Sequence, residues 1–276
     1  MGEPAPEPGD DAAMPFVAPC RILGPWAPLG WIRRGWRDMW AAPRQSLAYG
    51  GIVVVLSLAL ALVTVELGGY FELLSLVSGF VLIAPVLAVG TYAISLQIER
   101  GETPSLRRCL REEQRSFGNL MVFALMLMVV FLVWARAASA VHIFFPIAES
   151  PAWTDYLTFF GIGSAVGSIF AGIVFSAAAF SLPMMMDRRV DTVTAVVTSV
   201  NAVLRNKPAM IVWASLIVVA VAPGFALLLV GRERGSGLLW IMAALGLTLP
   251  LIGHATWHAY RATIDASAWP PNEPGQ

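Results

Sequence analysis

His254 and His258 stand four residues apart in the apolar stretch 251–261, so a helix puts both imidazoles on one face with Trp257 beside them. Two histidines at that spacing can begin a metal or haem site. Completing one takes further ligands, such as the glutamate of an HExxH or more Cys and His. The chain's other histidine, His142, is expected near the opposite membrane face, where it cannot serve as a third ligand. The adopted reading is an interfacial anchor near a cytoplasmic helix end. No metal and no cofactor is expected.

Arg136 is the second candidate. It follows 18 uncharged residues, and the apolar run continues after it to Phe145. A guanidinium inside a span costs a few kcal/mol or more unless it is paired, snorkels or meets water. Glu66, Glu72, Glu149 and Asp155 are possible partners on that side, Glu66 the deepest. An anion or proton site in an outer-facing cavity is one reading; a snorkelling arginine that ends an 18-residue span is the other. Asp187 is the third candidate, beside Arg188 and Arg189 and just after Met184, Met185 and Met186. With no Cys or His nearby in sequence, that methionine run reads as apolar filler rather than a soft-metal site.

Several chemistries have no footing. There is no Walker loop, no GxGxxG after a strand, no GxSxG elbow and no CxxCH. No span carries a carboxylate near its midplane, the usual mark of a proton-coupled pump. Cys20 and Cys109, 89 residues apart in segments expected to be cytoplasmic, are read as free thiols. With a net charge of zero, no nucleic-acid partner is expected.

The elements that hold these residues are set by the bilayer. Hydrophobic residues make up 57% of the 276 and charged ones 13%, against about 25% charged in soluble chains. Mean hydropathy is +0.70. Six apolar runs, at 46–67, 73–96, 118–145, 157–183, 209–230 and 238–259, are each long enough to cross the ~30 Å hydrocarbon core as a helix. Fifteen of the eighteen basic residues fall in alternate gaps between them. That bias predicts an all-α, six-span membrane protein with both termini cytoplasmic. Residues 29–261 form the membrane domain. The acidic, Pro-rich segment 1–28 and residues 262–276 are expected to be disordered tails.

Each cytoplasmic segment before a hairpin can form an amphipathic helix. Ile32, Trp36, Met39 and Trp40 form the first apolar stripe, largely opposite Arg33, Arg34 and Arg37. Leu106, Cys109, Leu110 and Phe117 form a second, and Val190, Val193, Val197, Val200 and Leu204 a third. Such helices suit the headgroup layer, where anionic lipid or a cytoplasmic protein is the possible partner. Three units of amphipathic segment, span and span follow, with prolines expected to kink the second spans at Pro85, Pro183 and Pro250. Gly163, Gly167 and Ala171 line a small-residue edge, read as an internal packing seam or, second, a homo-oligomer face.

The segments 36–38 (Trp-Arg-Asp), 181–188 (Ser-Leu-Pro-Met-Met-Met-Asp-Arg) and 251–261 (Leu-Ile-Gly-His-Ala-Thr-Trp-His-Ala-Tyr-Arg) give the chain a resemblance. It resembles a family of predicted bacterial integral membrane proteins catalogued only as a domain of unknown function. The resemblance covers about 29–261, and its most specific part is Gly253 to Arg261. It implies a multi-pass inner-membrane protein and carries no catalytic residues. The expected function is a non-enzymatic membrane scaffold or accessory protein. The alternative is a facilitative small-solute or ion pathway near Arg136; a metal or haem protein built on His254 and His258 comes third.

Overall fold

The computed structural model describes residues 15–67, 85–144, 152–231 and 237–272. Among them the chain forms helices α1 (Ala27–Ala41), α2 (Pro43–Leu67), α3 (Val89–Glu99), α4 (Leu106–Arg115) and α5 (Phe117–Phe144). It continues with α6 (Trp153–Asp187), α7 (Thr192–Arg205), α8 (Lys207–Gly231) and α9 (Gly237–Thr263). Three stretches, Phe117–Val141, Trp153–Asp187 and Lys207–Gly224, are long and apolar enough to cross a membrane. Five of the six expected apolar runs coincide with the long helices α2, α5, α6, α8 and α9. The expected run 73–96 lies partly outside the described residues.

Short and long helices alternate in a regular way. α1, α4 and α7 each end one residue before α2, α5 and α8 begin, at Ala42, Ser116 and Asn206. The breakers do local work. Pro43 opens α2, where a missing N–H is harmless. Ser116 Oγ donates to the Met185 carbonyl at 2.9 Å. Asn206 accepts from Leu23 N at 2.8 Å and donates to the Arg21 carbonyl at 3.1 Å.

α9 is the hub, packing against α1, α2, α3, α6 and α8. At four approaches an added Cβ would force a neighbour to move. A Cβ on Gly35 would lie 2.6 Å from Ala255 N of α9, and one on Gly50 would lie 2.0 Å from the Gly246 carbonyl. One on Gly253 would lie 1.9 Å from Thr91 Oγ1, and one on Gly90 2.1 Å from the Tyr49 ring. Small residues at such crossings let helix backbones meet, which is how membrane helices gain dispersion contacts. Pro250 belongs to this packing. It cannot bond the Gly246 carbonyl four residues earlier, and α2 lays Gly50 against that carbonyl.

The expected kinks fare differently. Pro183 and Pro250 lie inside continuous helices, as does Pro223 of α8. Pro85 precedes a turn at Ala88, where Thr91 N and Oγ1 both bond the Ala88 carbonyl. The small-residue edge of α6 makes no internal seam among the described residues: a Cβ on Gly163 or Gly167 meets nothing within 4 Å there.

Two amphipathic readings need correction. α1 buries Trp31, Gly35, Asp38 and Met39, while Trp36 and Trp40 point outward. α7 turns Thr194, Thr198, Ser199 and Ala202 inward and leaves Val193 and Leu204 exposed. Gly35 and Asp38 of α1, and Thr194, Thr198, Ser199 and Ala202 of α7, turn inward because close packing and hydrogen bonds between helices select the buried face. On α4, Cys109 is buried but Leu110 is exposed.

The described core lies at the end of the bundle that carries the arginine-rich connections. It joins Trp31, Tyr92, Ile94, Phe180, Leu182, Met184, Met185, Trp213 and Trp257, with Trp31 and Trp213 edge to face at 5.8 Å. The tails expected at 1–28 and 262–276 are built into this end over their described portions. Ala18 N bonds Thr198 Oγ1, Arg21 N bonds the Thr263 carbonyl, and Asp265 N bonds the Pro19 carbonyl.

Candidate functional site

Four helices bring polar side chains into the core at His254. α9 supplies His254 and His258, α1 supplies Asp38, α3 supplies Ser95 and α2 supplies Ser46. Ser46 Oγ lies 3.0 Å from His254 Nε2, and Ser95 Oγ lies 2.8 Å from His254 Nδ1. Ser95 Oγ donates to Asp38 Oδ2 at 2.9 Å, and His258 Nε2 reaches the same oxygen at 2.7 Å.

One assignment of hydrogens satisfies every member. Ser95 has a single hydroxyl hydrogen, committed to Asp38, so His254 carries its proton on Nδ1 and donates to Ser95. His254 Nε2 then accepts from Ser46. The chain of bonds is buried along most of its length, Ser46 and His254 being 0% exposed and Ser95 1%, and it ends at the partly buried His258. A serine beside a histidine and an aspartate has the makings of a nucleophile. Here both hydroxyls are sealed between helices, where no substrate reaches them. They serve as connectors that tie the buried Asp38 carboxyl group to His254 and to the helices around it.

A second cluster closes the same end. Asp187 Oδ2 accepts from Tyr260 Oη at 2.7 Å, Arg188 Nε at 3.1 Å and Arg261 Nη1 at 3.3 Å. Arg261 also holds Glu99 through Nη2 at 2.6 Å, and Glu99 accepts from Trp257 Nε1 at 2.9 Å. Asn272 donates to the carbonyls of Met185, Met186 and Arg188. A residue of the Pro-rich tail thus caps the C-terminus of α6, whose last carbonyls lack helical partners.

His254, His258 and Asp187 therefore gather at one end, and the anchor reading of the histidines is replaced by buried bonding partners. Trp257 is likewise buried. Among the described residues, no group of three or more His, Cys, Asp or Glu could hold a metal ion. Arg136, on α5, is exposed and does not join these clusters. The side chain of Glu66 and residues Glu72 and Glu149 lie outside the described residues, and Asp155 bonds Ala152 N at its own helix start. Sequence reasoning missed Ser46, Ser95, Glu99, Tyr260 and Asn272; Asp38 was visible as the sole acid of α1 but had no apparent partner.

Residues 73–187 match a family model described as a predicted integral membrane protein, DUF2189. That segment makes this an integral membrane protein. The DUF2189 segment holds Ser95, Glu99 and Asp187, and of the three motif stretches it contains 181–187. Asp38, His254 and His258 lie outside it. No curated protein and no solved structure matches the chain.

Proposed function

We propose that the protein is a non-enzymatic membrane scaffold: six spans in a bacterial inner membrane, both termini cytoplasmic, arranged as three units of short helix and hairpin. The observation that carries this reading is the use of the buried serine, histidine and aspartate side chains of the core in bonds between helices. Asp38, Ser95, His254 and Ser46 each bond a residue of another helix, which stabilises a fold and leaves nothing for substrate. The break before α2, α5 and α8 supports the three units. The arginine bias of the alternate gaps supports the orientation.

Purified protein in detergent tests the reading through metal content, visible absorbance and melting temperature of wild type and His254→Ala. A colourless, metal-free wild type with a lowered melting temperature in His254→Ala is expected. A stoichiometric metal or haem lost in His254→Ala overturns it.

A further inference from the structure

We infer that the outer face of α1 is a binding site for the headgroups of anionic phospholipids in the bilayer around the protein. α1 has two faces of opposite character. Its only acid, Asp38, is turned into the core and held there by Ser95 and His258. The outer face is left with Arg33, Arg34 and Arg37, all exposed, and these line one hollow with Trp36 and Trp40. None of the three arginines has an acidic partner among the described residues; the bond from Arg34 Nε goes to the Gly30 carbonyl of its own helix.

The position of α1 suits the occupant. Gly35 rests on Ala255, four residues before the expected end of the last span at 259. At 1.5 Å per residue, α1 then crosses about 6 Å inside that end, a depth from which long arginine side chains reach the headgroups by snorkelling. Trp36 and Trp40 are 47% and 56% exposed and meet edge to face at 5.8 Å. Indole rings prefer that boundary, apolar body toward the chains and N–H toward the polar layer. Guanidinium groups form forked bonds to phosphate oxygens. A second hollow, where α2 begins, carries Arg44 and Arg107 in its lining. A phosphate diester carrying acyl chains matches both halves of this face: anion for the arginines, hydrocarbon for the tryptophans.

The full chain, purified in a nonionic detergent, is titrated calorimetrically with dihexanoyl phosphatidylglycerol, dihexanoyl phosphatidylcholine and inorganic phosphate. The glycerol lipid is expected to bind saturably and more weakly as salt rises. Replacing all three arginines (R33Q/R34Q/R37Q) should weaken it about 100-fold, while R205Q, an exposed arginine of α7, leaves it unchanged. The single variants R33Q and R37Q should each weaken it about fivefold and melt as wild type does, which separates binding from folding. Equal binding of the two lipids, wild-type affinity in the triple and single variants, or equally tight binding of inorganic phosphate overturns the proposal.

Discussion

His258 Nε2 lies 2.7 Å from Asp38 Oδ2, joining residues 220 positions apart across the contact between the last helix and the first. The same oxygen takes the Ser95 hydroxyl, so one carboxylate oxygen ties together α1, α3 and α9. Asp38→Ala strands two buried donors at about 1–3 kcal/mol each. Asp38→Asn keeps an oxygen for both and puts an amide NH2 in place of the other oxygen. Thermal unfolding in detergent should show a large drop for the alanine variant and roughly half of it for the asparagine variant.

Glycine substitutions should separate crossings from open faces. In Gly50→Val the new side chain meets the Gly246 carbonyl, a backbone atom that moves only if α2 and α9 part. We expect a loss of about 2 kcal/mol or more. Gly163→Val meets nothing within 4 Å and should lie within about 0.5 kcal/mol of wild type. Paired melting curves check the contrast.

Asn272→Ala removes the donor to three carbonyls at the end of α6. A loss of about 1–2 kcal/mol is expected, with faster amide exchange at 184–190 read by hydrogen exchange. An unchanged exchange pattern would mean that the tail cap does not hold in solution.

Asp191 caps α7, its Oδ1 accepting from Thr194 N at 3.0 Å. Burial acts to raise its pKa, but the Thr194 and Val193 hydrogen bonds together hold it below the ordinary carboxylate value. The native state thus favours the charged form. The cap's contribution is full above the unfolded carboxylate pKa of about 4 and fades as pH falls through the lower folded value. Asp191→Ala should cost about 1 kcal/mol at neutral pH, and Asp191→Asn much less. The asparagine variant should also show a shallower acid loss of stability, measured as melting temperature against pH.

What could be read from sequence followed from local rules. A membrane helix needs about 20 apolar residues in a row, so α5, α6 and α8 were plain. The i, i+4 spacing of His254 and His258 likewise needs no fold to be noticed. Their partners were hidden because the bonds are long-range: Ser95 is 57 residues from Asp38 and 159 from His254, and in an apolar run it looks like a neutral small residue. The inward face of α1 was misread for a physical reason. Two of its three tryptophans, Trp36 and Trp40, face outward where a water-soluble helix would bury them, and Gly35 and Asp38 turn inward beside Trp31. Asn272 was hidden by composition, since a Pro-rich end gives no periodic signal for a capping residue.

The claim that matters most is that Asp38 and His258 act as a clamp between α1 and α9. A double-mutant cycle on unfolding free energy, using Asp38→Ala, His258→Ala and the pair, measures it directly. A coupling of about 1.5 kcal/mol or more is predicted, the pair costing less than the two single changes added together. Additivity within about 0.5 kcal/mol would contradict it.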